Sequence, residues 1–177
     1  MTRGERNNNP LNIRHSSDQW QGACEKQTDK SFVQFKSMAY GYRAAWKVLQ
    51  SYYDRFCYQN KGFTVRNIIY RWAPPSDGNA TEAYIRKVLH QSGIGGHENL
   101  LPPDNVESFH RLSKLIAAMT SVECGMPMER VDTASICQGY RLAFPENTRA
   151  LNKWLRAEDE YWNWSPEVEF PDYDMER

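Results

Sequence analysis

Glu123 is the residue whose position in the sequence most suggests chemistry. It follows Ile116, Met119 and Val122 at helical spacing and stands next to Cys124 and Gly125, so it falls beside an apolar stripe where a helix stops. A carboxyl group half-buried against apolar side chains is disfavoured in its charged form. The partial negative charge of the helix C-terminus pushes the same way. Such a group suits proton donation to a glycosidic oxygen. Periodicity alone equally allows a surface acid at a helix end. A second region is Arg3–Arg14, which holds Asn7, Asn8, Asn9 and Asn12 together with three arginines and Gly4. Buried amides need hydrogen-bond partners. They either line a cleft that reads the hydroxyl and N-acetyl groups of a sugar or knit an irregular terminus through Asx turns. Asn7, Asn8, Asn12 and Arg14 are the candidate binding residues here. A third region, Arg71-Trp72-Ala73-Pro74-Pro75 followed by Thr81-Glu82-Ala83-Tyr84, sets Trp72 and Tyr84 beside a polar loop, where they could stack on sugar rings, as could Trp20. Glu82, in a first helical turn, reads as a dipole-compensating acid.

The elements that must position these groups are mostly helical. From Ser37, which can cap a helix, Tyr42, Trp46, Leu49, Tyr53 and Phe56 recur at spacings of 4, 3, 4 and 3. A second helix is expected over 64–72 and a third from Thr81, closed by Gly93, Gly95 and Gly96. Asp104 or Asn105 can cap a fourth, whose stripe is Val106, Phe109, Leu112, Ile116, Met119 and Val122. Gly125 and Pro127 stop it. A fifth is expected over 132–143 and a sixth over 147–160. Residues 3–36 read as loops and short strands, with Phe32-Val33-Gln34-Phe35 alternating as a strand does. The expected architecture is therefore mostly α (α+β): one compact globular domain over 1–157, with a strand and loop lobe at 1–36 and a helical bundle at 37–157. Residues 158–177 form an acidic, aromatic tail.

Composition narrows the classes. The chain has 177 residues, 40% hydrophobic and 13% aromatic, which is the make-up of a folded protein. No apolar run approaches the roughly 18 residues needed to span a bilayer, and the N-terminus carries no signal-peptide core. The expectation is a protein that stays cytoplasmic until lysis, or that travels with a virion or is delivered to the periplasm. The 22 basic and 22 acidic residues balance, but 158–177 holds eight acids and one base, leaving 1–157 with 21 basic and 14 acidic residues, a net +7. A basic body suits an anionic partner such as a cell-wall polymer. Nucleic acid is a weaker choice, because the basic residues are dispersed. There is no phosphate-binding glycine loop, H-E-x-x-H or G-x-S-x-G. His15, His90, His97 and His110 are scattered, so no metal site and no cofactor are expected. Cys24, Cys57, Cys124 and Cys137 have no C-x-x-C spacing, and free thiols are the default. Cys57 and Cys137 fall in apolar helical patterns, as buried cysteines do.

The segments Arg3–Arg14, Asp18-Gln19-Trp20-Gln21-Gly22, Phe32–Phe35, Tyr40-Gly41-Tyr42-Arg43-Ala44, Ile68–Pro75 and Thr81–Ile85 resemble a family found in phages and prophages, whose members are often labelled virion or structural proteins. The resemblance spans about residues 3–140. The Asn-Asn-Pro-x-Asn-Ile element and the helix-end Glu are also similar to pieces of lysozyme-like murein glycosidases, although there the acid precedes the Asn-rich element, so a site here would have permuted order. The resemblance implies a peptidoglycan-degrading glycosidase, lysozyme-like or lytic transglycosylase-like, with Glu123 as its acid and Glu5, where the family varies, as a second-ranked candidate. The alternative is a non-enzymatic virion protein that binds a partner through its surface or its acidic tail. Two positions depart from the family pattern: Leu11 replaces a Gly, and Cys124 replaces the Asn that follows the Glu.

Overall fold

The computed structural model describes residues 1–157, in which seven helices are joined by loops and short 3₁₀ turns. They are α1 (Arg3–Arg6), α2 (Met38–Tyr58), α3 (Val65–Trp72), α4 (Thr81–Ser92), α5 (Phe109–Cys124), α6 (Thr133–Ala143) and α7 (Thr148–Ala157). The class is mostly α, as the periodicity predicts. The expected tail, 158–177, lies outside the described residues.

The helix ends follow from local chemistry. Thr64 caps α3 by accepting from the Asn67 amide, and Asp132 caps α6 by accepting from the Ser135 amide. Asn105 caps a 3₁₀ turn, Val106–Ser108, that runs straight into α5. Ser37 stands at the N-cap of α2, but its side chain makes no capping bond. Gly125 ends α5 in the left-handed conformation (φ 59°), which a glycine adopts without the Cβ clash other residues meet. This stop fixes Glu123 in the last turn of α5.

α2 packs chiefly on α6, and α4 on α5. The centre of the bundle is aromatic. Trp46 is fully buried, its ring 6.0 Å from Phe109, 4.9 Å from Tyr140 and 6.5 Å from Phe144, and its indole N–H donates to the Ile136 carbonyl at 3.1 Å. Val65, Ile68, Ile69, Val88, Leu112, Leu115 and Ile116 complete this core without measurable exposure. Among the described residues no helix is long and apolar enough to cross a membrane.

The N-terminal lobe departs from the expected loops and short strands in two ways. Arg3–Arg6 forms a single-turn helix, closed by a capping box in which Thr2 accepts from the Glu5 amide and the Glu5 carboxylate accepts from the Thr2 amide. The expected strand at 32–35 is reduced to two isolated antiparallel bridges, Arg14 with Phe32 and Ala23 with Phe35. The missing ladder is replaced by side chains. Asn9 is fully buried and donates to the Ile13 and Val33 carbonyls at 2.9 and 2.8 Å, while its own carbonyl accepts from the Ile13 amide. The Gln27 side chain clasps the Gln34 backbone, donating to its carbonyl and accepting from its amide. Gly41 lets this lobe lie directly on α2: a Cβ there would stand 2.1 Å from the Asn8 carbonyl oxygen.

Candidate functional site

Three of the predicted residues meet, from three separate elements. Glu123 stands in the last turn of α5, half-buried. Asn12 comes from the lobe and donates through Nδ2 to Glu123 Oε2 at 2.9 Å. Tyr84 comes from the second turn of α4 and donates its hydroxyl to Glu123 Oε1 at 2.9 Å. Asn12 is separated from Glu123 by 111 positions and Tyr84 by 39. Asn12 reaches this place because its backbone is left-handed (φ 51°), a conformation Asn tolerates better than most residues. Asn8 is left-handed too (φ 49°). Leu11 between them is not left-handed. Leu11 is buried in the core instead. Cys124 seals the neighbouring contact, its buried thiol donating to the Pro10 carbonyl at 3.3 Å. Burial pushes that thiol's pKa up, which keeps it a donor.

The chemistry of the trio is that of a carboxyl group oriented from both sides. The Asn12 amide N–H₂ can only donate. The Tyr84 hydroxyl donates to a carboxylate and can accept from a protonated carboxyl, so the same geometry serves either protonation state. Desolvation, followed by the nearby Glu123 charge and the hydrogen bond to it, pushes the Tyr84 phenol well above its ordinary range. It therefore remains a proton-bearing group at any ordinary pH.

The other predicted residues are placed elsewhere. Glu5 caps α1, and its bond from the Thr2 amide (2.6 Å) holds its carboxyl below the ordinary range. A carboxyl held ionised at its own helix start is a poor proton donor, and in this structure Glu5 serves as a capping residue. Asn7 is buried and donates to Asp29 at 2.8 Å, and Asn8 donates to the Phe35 carbonyl at 3.0 Å. Both knit the lobe rather than face Glu123. Arg14 lies 5.2 Å over the Phe32 ring, which Arg3 also covers at 4.4 Å. Trp20 is half-buried against the core. Trp72 packs edge-on to Tyr52, 6.1 Å between ring centres, so it is taken up by the α2–α3 contact. Glu82 pairs with Arg66 and accepts from the Tyr70 hydroxyl on the bundle exterior. Cys57 is exposed on the last turn of α2, not buried, whereas Cys137 is buried. All four cysteines are free. Among the described residues no group of three or more His, Cys, Asp or Glu is placed to hold a metal ion.

Sequence reasoning missed Asp29, the centre of the lobe's polar network. Its carboxylate receives Arg3 Nε and NH2 at 2.7 and 2.6 Å, Asn7 Nδ2, and the Ser31 and Phe32 amides. The Arg3 fork, then Asn7 and the two amides, hold it far below the ordinary carboxylate range. The one local signal was Asp29-Lys30-Ser31, an Asx-turn pattern inside a stretch too polar to draw notice. Two of the surface cavities are lined by the lobe and by the bundle. One, of about 510 Å³, is lined by lobe residues from Met1 to Gln34. The other, of about 350 Å³, lies among α4, α5 and the start of α6. Glu123 lines neither.

The sequence is 37% identical over 126 residues to Protein P5 of Pseudoalteromonas phage PM2, an alignment covering 70% of this chain and 71% of the phage protein. The chain belongs to the Protein P5 family. No family model matches it. Membership of the P5 family bears out the phage association that the sequence pattern implied.

Proposed function

We propose that this P5-family protein is a phage murein glycosidase with Glu123 as its proton donor. The observation that carries the reading is the convergence of Asn12 and Tyr84 on one half-buried helix-end carboxyl from elements far apart in sequence. The protonated carboxyl gives its proton to the oxygen joining two amino sugars, the bond from C1 to that oxygen breaks, and the departing sugar leaves as an alcohol. The electron-poor C1 is then captured by water, or by a hydroxyl of its own sugar to give an anhydro end. Asn12 and Tyr84 hold the carboxyl in one orientation during the transfer, which is where positioning lowers a barrier. The net +7 over 1–157 suits an anionic wall polymer.

A specific observation favours a second reading, a virion accessory protein without activity. Both oxygens of Glu123 are engaged, and Cys124 binds Pro10 beside it. On this reading the trio staples the lobe to the bundle, and the acidic residues of 158–177 serve a partner.

The test is clearing of purified peptidoglycan by wild type and Glu123→Gln, with denaturant melts of both. Glu123→Gln replaces one carboxylate oxygen with an amide N–H₂ of nearly the same size. Clearing by wild type alone, with the variant within about 1 kcal/mol in stability, supports the glycosidase, and the masses of the product ends separate hydrolysis from anhydro formation. No clearing by folded wild type, or loss of clearing and folding together in the variant, supports the staple. Assembly unaffected by deletion of 158–177 would count against the tail as the partner contact.

A further inference from the structure

The lobe carries a second polar site that the trio does not use. The cavity of about 510 Å³ is lined by Met1, Arg6, Asn7, Thr28, Asp29 and Gln34. Several of these side chains are already fixed at one end. Gln34 Oε1 accepts from the Thr28 amide at 2.5 Å, the Thr28 hydroxyl at 3.0 Å and the Asp29 amide at 3.2 Å. Asn7 is tied through Nδ2 to Asp29. The Asp29 charge is answered by the Arg3 guanidinium, which grips both its oxygens. What these bonds leave over is a directed set. Gln34 Nε2 and the Arg6 guanidinium remain as donors, the Asn7 carbonyl as an acceptor, and the Thr28 oxygen can accept. Because one end of each amide is spent internally, the free end is held in place before any ligand arrives, which reduces the ordering cost of binding. Arg6 supplies a charge that no side chain among the described residues neutralises, in a planar fork that matches a carboxylate.

From this arrangement we infer that the cavity is a binding site for a carboxylate flanked by amide or hydroxyl groups, with Arg6 on the carboxylate and Gln34 Nε2 and the Asn7 carbonyl on its neighbours. The inference rests on the murein reading for its source: the peptide stems of peptidoglycan carry free carboxylates next to amides, whereas a glycan of N-acetylglucosamine alone carries none. The site would then hold the stem while α1, whose Gly4 packs against Cys124, places the glycan toward the end of α5. It differs from the trio in what it recognises: the trio works on a glycosidic oxygen and the cavity on an acid.

The experiment is a titration of full-length Glu123→Gln, which cannot consume its ligand if Glu123 is the acid. Three probes are used: a muropeptide with free stem carboxylates, the same muropeptide with those carboxylates amidated, and a chitin oligosaccharide with no stem. The expected result is saturable binding of the first, weaker by about tenfold or more when the carboxylates are amidated or when Arg6→Gln is added, as loss of a charge-assisted bond predicts. Arg6→Lys recovers part of it, since the charge returns without the fork. Equal binding of all three probes, no binding of the first, or no effect of Arg6→Gln in a variant with an unchanged melt would overturn the site. Wild type that fails to clear peptidoglycan but shows the Arg6-dependent preference leaves this inference standing and removes the glycosidase reading. Clearing without the preference does the reverse.

Discussion

In the bundle, the side chains with no measurable exposure are overwhelmingly apolar: Trp46, Leu49, Ile68, Leu112, Leu115, Ile136 and Tyr140. In the lobe, the side chain with none is an amide, Asn9. Apolar burial is non-directional and grows with area, so a bundle built on it tolerates small displacements of any one group. Hydrogen bonds are directional, and a buried group left without its partner bears the full desolvation cost. A lobe built on them has few alternative arrangements. It is the region able to deliver a single amide, Asn12, onto a carboxyl with defined geometry. The bundle in turn supplies the stiff helix end that carries Glu123. The candidate site lies at the seam because it draws on both kinds of construction.

That contrast can be broken most forcefully from the bundle side. Trp46→Ala removes the ring at the centre of the aromatic cluster and the indole N–H that donates to the Ile136 carbonyl. A loss of about 3–5 kcal/mol is expected, seen as a single cooperative shift in the denaturant midpoint that takes lobe and bundle together. Two separate transitions would show that the lobe holds itself. Next in size is Asn9→Ala, which strips partners from the Ile13 and Val33 carbonyls and the Ile13 amide. About 2–4 kcal/mol is expected, and hydrogen exchange should quicken at residues 9–35 well before it does in α2 or α5. Uniform exchange across the chain would mean that the two regions are not built differently after all.

The seam itself responds to a double-mutant cycle. Tyr84→Phe removes the bond that reaches Glu123 from the bundle, and Asn12→Ala removes the one from the lobe. Tyr84→Phe should cost about 1 kcal/mol, and Asn12→Ala about 1–2 kcal/mol beyond its lost bond, because alanine is strained in the left-handed backbone of residue 12. The pair should depart from additivity by about 0.5 kcal/mol or more, because the two share one acceptor group. In the murein assay each single change should slow clearing without abolishing it. Strict additivity in stability, with clearing untouched, would reduce the trio to two unrelated surface bonds.

The same contrast explains what the sequence could disclose. The helices were legible because burial on one face leaves a 3.6-residue period, and because Thr64, Asp132 and Gly125 mark their ends. Glu123 was legible for the same reason, as the acid following Ile116, Met119 and Val122. The lobe was not. Its bonds link Asn9 to Val33, Asn7 to Asp29 and Asn8 to Phe35, spans of 22 to 27 residues with no period to betray them. The capping box at Thr2 and Glu5 lies in the residues, but half of each bond is a backbone amide that has no letter in the sequence. Cys57 is exposed although its neighbour Phe56 is buried, because one residue along a helix turns the side chain about 100° off the buried stripe. Asn12 and Tyr84 were both named as candidates, but nothing local says that residues 12, 84 and 123 share one place. That is decided by how the lobe lies on the bundle, through contacts such as Gly41 under Asn8.

The smallest effect expected is a pH dependence confined to the lobe. Arg3, Asn7 and two amides hold the Asp29 carboxyl below its ordinary range in the folded chain. A folded value lower than the unfolded one means the unfolded state takes up the proton first. The contribution of Asp29 is therefore complete above the ordinary Asp value of about 4, and it disappears as pH falls through the depressed folded value. The Arg3 partner is largely solvent-exposed, so the effect is modest and weakens with added salt. Protection of the Ser31 and Phe32 amides, which Asp29 binds directly, should fall as the medium is acidified below the ordinary carboxylate range, while protection of α5 amides near Leu115 persists. Asp29→Asn should remove that pH dependence and lower protection at every pH, because the amide keeps an acceptor but gives up the charge that grips Arg3. If the α5 amides lose protection in step with Ser31 and Phe32, the lobe and the bundle open as one unit, and the directional lobe owes its persistence to the apolar core beneath it rather than to its own bonds.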